Sequence, residues 1–153
     1  MEIERKFLVD RPPDLTSRSS TRIEQGYLSL IEHGAEVRLR RRDGELTLTV
    51  KGGGGRERTE VELPLTGEQF EELWPFTEGR RLVKVRHLVP VGGLTAEVDV
   101  YEGELEGLRI AEVEFESEVE ADRFNPPEWL GDEVTGDQRY LNERLAVEGR
   151  PGV

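Results

Sequence analysis

Charged side chains recur at every second position in several short segments of this 153-residue chain. In the first segment, Glu2, Glu4 and Lys6 would share one side of an extended strand, because successive side chains on a strand point to opposite faces. Carboxylates can hold divalent cations, and an ammonium group can bind phosphate oxygens. The chemistry available to this face therefore depends on whether it looks out to solvent or encloses a ligand.

The charges are sorted between segments, with basic side chains on some strands and acidic side chains on others. The cations are Lys6, Arg38, Arg40, Lys51, Lys84 and Arg86. The carboxylates are Glu2, Glu4, Glu60, Glu62, Asp99, Glu112 and Glu114. Faces that were merely solvated would carry mainly acids in a chain with a formal net charge of −12. Cations opposite carboxylates suit a polyphosphate accompanied by a hard divalent ion such as Mg²⁺ or Mn²⁺.

Eight segments with period-two alternation predict eight β-strands. They are residues 1–9, 22–30, 36–42, 45–51, 57–63, 81–89, 94–101 and 109–118. Asp43-Gly44, between the third and fourth segments, is typical of a tight two-residue hairpin turn. Most other connections are also short, which favours antiparallel neighbours.

Helical signals occur in two places. Thr66-Gly67-Glu68-Gln69 resembles a capping box and precedes apolar residues at helical spacing, and a second helix is predicted over about 137–146. These helices are too few to cover one side of a flat sheet. We therefore predict a mainly β (α+β) fold, a closed eight-stranded antiparallel β-barrel with a charged lumen and a few short outer helices. The alternative arrangement turns the charged faces to solvent around an apolar lumen.

Composition excludes several classes of function. The chain has no cysteine, so it contains neither disulfides nor thiolate metal sites. Its negative charge argues against nucleic acid and anionic membranes as general partners. No segment approaches the roughly 18 consecutive apolar residues of a membrane span. We expect a single domain of residues 1–153, acting in the cytoplasm without a nucleic acid or membrane partner.

An ordered set of motifs resembles the signature of the CYTH superfamily, the triphosphate tunnel metalloenzymes. The set begins with Glu2-x-Glu4-x-Lys6 and spans nearly the whole chain. The later motifs are Val37-Arg38-Leu39-Arg40, Leu48-Thr49-Val50-Lys51, Glu60-Val61-Glu62, Lys84-Val85-Arg86, Glu97-Val98-Asp99, Ala111-Glu112-Val113-Glu114 and Thr135-Gly136-Asp137-x-Arg139-Tyr140. The chain is most similar in form to the compact bacterial tripolyphosphatases of that family. The resemblance implies an eight-stranded tunnel that binds a triphosphate inside.

The resemblance also implies roles for individual residues. Two metal ions, Mg²⁺ or Mn²⁺, would be held by Glu2, Glu4, Asp99, Glu112 and Glu114. Phosphate oxygens would be bound by Lys6, Arg38, Arg40, Lys51, Lys84 and Arg86. Within these sets, the catalytic residues would be Glu4, Lys6, Lys84 and Arg86. Glu60 and Glu62 would orient the cations or assist a metal, and Tyr27 and Arg139 would contact the substrate or gate the tunnel.

The activity implied is hydrolysis of inorganic triphosphate to pyrophosphate and phosphate. The same tunnel could instead act on an organic triphosphate, as an adenylate cyclase, a thiamine triphosphatase or a nucleoside triphosphatase. The sequence offers few aromatic or polar groups placed to recognise a base, which favours the bare polyanion. A non-catalytic polyphosphate-binding module is a further alternative, although it would not need the full set of carboxylates. We expect a monomer or a homodimer.

Overall fold

The computed structural model describes residues 3–16, 18–53 and 59–152. Within these residues, eight strands form one antiparallel sheet in the order β1-β8-β7-β6-β2-β3-β4-β5. The strands are β1 (Ile3–Leu8), β2 (Ser20–Ser29), β3 (Ala35–Arg42), β4 (Glu45–Gly52), β5 (Thr59–Pro64), β6 (Arg81–Val91), β7 (Leu94–Tyr101) and β8 (Arg109–Phe115). The prediction of eight antiparallel strands is confirmed.

The predicted hairpin turn joins β3 to β4. Asp43 and Gly44 have positive φ angles of 48° and 81°, as the tight two-residue turn requires at both central positions. The turn brings Arg42 opposite Glu45 and sets the pairing of the whole hairpin. Its register places Arg38 opposite Thr49 and Arg40 opposite Thr47.

The apolar faces of β1, β6, β7 and β8 are buried on one side of the sheet. Phe7, Val98 and Val113 belong to a core that also contains Ala121 and Leu130. Ala121 lies on helix α2 (Glu118–Arg123), which the sequence did not predict. The predicted eighth strand continued to residue 118, but Ser117 accepts a hydrogen bond from the backbone N–H of Glu120 and starts the helix there.

Helix α1 (Gly67–Leu73) begins with the predicted capping box. The Thr66 hydroxyl accepts from the backbone N–H of Gln69 at 3.1 Å, and the Gln69 side chain accepts from the backbone N–H of Thr66 at 2.8 Å. Phe70 is buried and stacks on Trp74, with ring centroids 5.1 Å apart. The apolar side of α1 therefore faces the protein, as its spacing predicted.

The predicted C-terminal helix is divided into two parts. A short 3-10 helix, Gln138–Tyr140, is followed by α3 (Asn142–Glu148), because Leu141 has an extended backbone between them. Leu145 of α3 packs against Leu82 and Tyr101, which belong to the same cluster. Among the helices of the described residues, none is long and apolar enough to cross a membrane.

The two outer strands of the sheet, β1 and β5, do not pair with each other within the described residues. The free edge of β1 is instead covered by residues 131–135. Leu8 accepts from Gly131 and donates to Asp132, both at 2.8 Å, while Lys6 accepts from Val134 at 2.8 Å. These main-chain groups of Lys6 and Leu8 are therefore already paired with residues 131–135. The structure confirms the sheet of the predicted fold, and the closed ring remains a prediction.

Candidate active site

The strand register places the predicted site residues on one face of the sheet, which we call the charged face. Residues directly opposite each other on neighbouring strands point to the same side. Gln25 of β2 links the two halves of this face because it lies opposite Leu82 on β6 and opposite Arg40 on β3. Its described charged members are Glu4, Lys6, Glu36, Arg38, Arg40, Arg42, Glu45, Lys51, Glu60, Glu62, Lys84, Arg86, Glu97, Asp99, Glu112 and Glu114. Glu2 lies outside the described residues.

Four carboxylates of the charged face line a cavity of about 400 Å³, which we call the acid pocket. They are Glu4, Glu97, Glu112 and Glu114, and Leu88 and Thr95 complete the lining. Carboxylates gathered in one cavity repel each other unless cations lie among them. Oxygen donors are the ligands that Mg²⁺ and similar hard ions prefer. In the described part of the chain, no three acidic or histidine side chains converge closely enough to hold an ion as they stand, so the fit to a metal rests on donor chemistry.

Glu97 is the member of the acid pocket that the sequence-based assignment left out. Its carboxylate lies 3.0 Å from Nη1 of Arg86 and is half-exposed. Glu97 precedes Asp99 by two positions on β7, so it must share a face with Asp99. It also lies opposite Glu112. The period-two rule, applied to the Glu97-Val98-Asp99 motif, could have found it.

Asp99 occupies the centre of the charged face, between two cations of β6. Its Oδ1 accepts from Nε of Arg86 at 2.8 Å, its Oδ2 accepts from Nη2 of Arg86 at 3.0 Å, and Nζ of Lys84 lies 2.8 Å from Oδ2. The side chains are buried, with Lys84 at 0% exposure and Asp99 at 7%. Both oxygens of Asp99 are therefore engaged by cations.

The pKa values of this trio follow from burial and charge. Burial alone would raise the pKa of Asp99, but Lys84 and Arg86 together lower it below its usual range. Burial likewise favours loss of the proton from Arg86, yet its bonds to Asp99 raise the pKa of the guanidinium. For Lys84 burial dominates over the attraction of Asp99, and the pKa falls to about 8. All three groups are charged at neutral pH.

Arg38 and Arg40 of β3 have no counter-ion in contact with them in the described part of the chain, although Glu36 on the same strand face attracts both electrostatically. Among the described residues, no carboxylate lies within ion-pair distance of either guanidinium. Arg38 is 8% exposed, and its buried Nε has no hydrogen-bond partner in the same residues. Burial, Arg38 and Arg86 together lower the pKa of Arg40. Buried cations without counter-ions are costly, so a bound anion would stabilise this part of the face.

Lys6 and Lys51 lie toward opposite edges of the sheet. Nζ of Lys6 lies 3.4 Å from Glu112 and donates to the backbone carbonyl of Tyr140 at 3.3 Å. Nζ of Lys51 lies 3.9 Å from Glu60. Glu62 accepts a long hydrogen bond of 3.4 Å from the Thr49 hydroxyl. The role of Glu60 in orienting a cation stays a prediction.

Tyr27 and Arg139 do not line the acid pocket, although Tyr27 lies opposite Arg38 on the charged face. Tyr27 is 1% exposed, and its hydroxyl accepts from Nε2 of Gln25 at 2.8 Å. Burial raises the pKa of this hydroxyl. The guanidinium of Arg139 is 65% exposed and pairs with Asp137 at 2.7 Å. The structure does not bring either side chain together with the acid pocket.

Two buried polar residues near the charged face were not assigned a role from the sequence. Glu143 of α3 is 3% exposed and accepts from the backbone N–H of Ile31 at 3.0 Å. This bond ties α3 to the connection between β2 and β3. Gln25 is 0% exposed and bonds to Arg40. Its position beside Tyr27 on one strand face was visible in the sequence, but its partner was not.

A family model described as the CYTH domain matches residues 1–144, which is nearly the whole chain. The chain belongs to the CYTH domain family. The resemblance is thereby confirmed. The first seven CYTH motifs fall on strands β1 and β3 to β8, and the last lies in the turn and 3-10 helix before α3.

Relatives of this CYTH chain cover almost its full length. An inorganic triphosphatase of Nitrosomonas europaea is 47% identical over 148 residues, which are 95% of this chain and 97% of that protein. An inorganic triphosphatase of Acetivibrio thermocellus is 40% identical over 147 residues, 94% of this chain and 92% of that protein. A crystal structure of an inorganic triphosphatase is 43% identical and superimposes with a TM-score of 0.80, covering 96% of this chain and 95% of that one.

Proposed function

We propose that this chain is a metal-dependent inorganic triphosphatase, which hydrolyses tripolyphosphate to pyrophosphate and phosphate on the charged face. The observation that carries the proposal is the arrangement of this face. The buried Arg38 and the half-buried Arg40, which contact no carboxylate among the described residues, lie on the same side of the sheet as a pocket of four carboxylates. A polyanion alone would be repelled by the pocket, and a metal alone by the arginines. The relatives at 47% and 40% identity, both inorganic triphosphatases, support the same reaction.

The acid pocket fits the metal-binding role. We propose Glu4, Glu112 and Glu114 as metal-holding residues, together with Glu97 and with Glu2, which lies outside the described residues. When bound, one or two Mg²⁺ or Mn²⁺ ions would neutralise phosphate charge and lower the pKa of a water molecule. The engagement of both Asp99 oxygens supports assigning Asp99 to Lys84 and Arg86 instead of to a metal.

The cations would bind and orient the triphosphate. Arg38 and Arg40 would hold phosphate oxygens with forked donors, while Lys6, Lys51 and Lys84 would act as point charges. Arg86 is fixed by Asp99, so its remaining donors are held in a defined direction. Charge builds up on the phosphate oxygens as the bond to the pyrophosphate leaving group breaks, and preorganised cations stabilise that charge. We therefore propose Lys6, Lys84 and Arg86 as catalytic residues that stabilise this charge, together with Glu4 of the acid pocket.

We further propose that the charged face encloses its substrate as a tunnel, with residues 1–153 acting as one domain. Helix α3 packs over one end of that face through Leu145, and residues 131–135 line the edge of β1. Both features support entry from the opposite end. We expect the protein to act in the cytoplasm as a monomer or a homodimer, with Glu60 and Glu62 orienting cations and with Tyr27 and Arg139 as secondary contacts.

The proposal is tested with the purified chain, Mg²⁺ or Mn²⁺, and each of three substrates: tripolyphosphate, ATP and thiamine triphosphate. Release of phosphate and formation of cyclic AMP are both measured. We expect rapid phosphate release from tripolyphosphate and much slower release from the two organic triphosphates. Absence of phosphate release from tripolyphosphate with either metal would overturn the proposal, and cyclic AMP from ATP would indicate the cyclase alternative.

A pair of matched variants places the reaction on the charged face. Glu4→Gln should abolish turnover, because it removes a carboxylate charge from the acid pocket. Glu68→Gln makes the same chemical change on the exposed surface of α1 and should leave turnover unaltered. Full activity in Glu4→Gln would mean that the acid pocket is not the reaction site.

A further inference from the structure

Gln25 is a fully buried amide in the middle of the charged face. It lies on β2, opposite Leu82 on one side and opposite Arg40 on the other, and its exposure is 0%. A buried amide is costly unless its donors and acceptor are used. The partners of Gln25 therefore indicate why a polar residue occupies this position.

Both ends of the Gln25 side chain are hydrogen-bonded. Its Oε1 accepts from Nε of Arg40 at 3.2 Å and from Nη2 of Arg40 at 3.0 Å. Its Nε2 donates to the hydroxyl of Tyr27 at 2.8 Å. Arginine offers only donors, so the oxygen of the amide must face Arg40. The fixed amide thus holds two donors of the guanidinium and leaves Nη1 without a hydrogen bond among the described residues.

The contact between Gln25 and Arg40 differs from the contact between Asp99 and Arg86 in the charge of the acceptor. Arg86 also receives a two-pronged contact, but from the carboxylate of Asp99. The single amide oxygen of Gln25 accepts from the same two nitrogens of its arginine, Nε and Nη2, without a negative charge. Gln25 therefore orients Arg40 and does not neutralise it, which leaves the full positive charge for an anion.

We propose that Gln25 is a positioning residue that aims the Arg40 guanidinium at a phosphate group while keeping its charge uncompensated. The inference rests on the proposed triphosphatase function, because it takes a phosphate chain as the ligand of the charged face. It assigns a role to Tyr27 as well. The Tyr27 hydroxyl accepts from the far end of the amide and so acts on Arg40 through Gln25.

The decisive variant is Gln25→Glu, which keeps an acceptor for Arg40 but adds a negative charge. We expect the dissociation constant of tripolyphosphate, measured by calorimetry without metal, to rise about tenfold or more. The new carboxylate would neutralise Arg40, which otherwise binds the phosphate with its full positive charge. KM should rise in parallel, kcat should change less, and the Tm should be retained. Gln69→Glu, at a capping-box position where glutamate serves equally, is the matched control and should bind as the wild type does.

A second variant tests whether Gln25 acts through Arg40. Gln25→Leu removes the acceptor, and we expect a rise in KM of about tenfold in the wild-type background but less than about twofold in an Arg40→Met background. An equal effect in both backgrounds would indicate a general packing defect and would overturn the proposal. A wild-type dissociation constant in Gln25→Glu would overturn it too.

The outcomes separate this inference from the proposed function. If wild-type protein binds tripolyphosphate but does not hydrolyse it, the proposed function fails, and the dissociation constants of the variants still decide the role of Gln25. If hydrolysis occurs and Gln25→Glu binds normally, only the inference fails. If wild-type protein binds tripolyphosphate only with metal present, the KM values of the variants decide the role of Gln25. If wild-type protein neither binds nor hydrolyses tripolyphosphate with metal present, both are overturned.

Discussion

The charged face carries two pairs of buried or half-buried cations, and the two pairs differ in their hydrogen-bond partners. Lys84 and Arg86 of β6 share the carboxylate of Asp99, which lies 2.8 Å from each of them. Arg38 and Arg40 of β3 have no carboxylate at ion-pair distance among the described residues, and Arg40 bonds to the neutral amide of Gln25. The first pair is internally compensated, and the second is not.

This difference indicates which part of the charged face needs a bound anion for its stability. A compensated pair stays ordered in the free protein and presents a fixed geometry. An uncompensated pair of buried cations destabilises the free protein and is relieved when an anion binds. Removal of the counter-ion from the compensated pair should therefore lower stability. Removal of a cation from the uncompensated pair should leave stability unchanged or higher and should weaken anion binding.

The largest expected effect is on the compensated pair. Asp99→Asn leaves Lys84 and Arg86 buried without their counter-ion, and breaking a buried pair on one side destabilises by about 3–5 kcal/mol. The free energy of unfolding, measured by urea denaturation at neutral pH, should fall accordingly. Asp137→Asn breaks an exposed pair with Arg139 and should leave stability nearly unchanged. Equal stability of Asp99→Asn and the wild type would mean that the trio does not support the fold.

Removal of a cation from the uncompensated pair should not lower the free energy of unfolding. Arg38→Met removes a buried charge and keeps an apolar side chain of similar length. We expect unchanged or slightly higher stability in the free protein, because no ion pair is lost. Tripolyphosphate binding should weaken about tenfold to a hundredfold, as a charge-assisted contact is removed.

The measurements are urea denaturation without ligand and calorimetry with tripolyphosphate. Arg144→Met, on the exposed side of α3, serves as the control for a lost surface charge. A strong loss of stability in ligand-free Arg38→Met would contradict the comparison, because it would imply a counter-ion for Arg38.

The smallest expected effect is a pH dependence that originates in Lys84. Burial lowers the pKa of Lys84 to about 8, so the side chain is a cation below that pH and neutral above it. Tripolyphosphate should therefore bind several-fold more weakly at about pH 9.5 than at about pH 7. The step should disappear in Lys84→Met, while ionisation of the substrate itself affects both proteins equally. A step of the same size in both proteins would exclude Lys84 as its source.

Much of the site could be predicted because strand alternation is a local property. Glu4, Lys6, Arg38 and Arg40 were each assigned to the correct face from their immediate neighbours. The Asp43-Gly44 turn then set the register of its hairpin without further information. Partners on other strands could not be predicted in this way, since they depend on which strands are adjacent.

Glu97 and helix α2 illustrate what could not be predicted from strand alternation alone. Glu97 was absent from the predicted metal set, although the period-two rule places it on the same face as Asp99. Its position beside Glu4 and Glu114 depends in addition on the order β1-β8-β7. Helix α2 was missed because it has only six residues and follows directly after a strand. Helices this short give little periodic signal and are stabilised mainly by tertiary packing.

The sequence by itself determined the strands, their two faces, one capping box, one hairpin turn and the CYTH family, because each depends on residues close together or on motifs in order. Only the tertiary structure decided that residues 131–135 cover the edge of β1, that Asp99 compensates Lys84 and Arg86, and that Gln25 is the partner of Arg40. Those contacts join positions distant in the chain or on different strands. They arise from strand order and register, which local alternation does not specify.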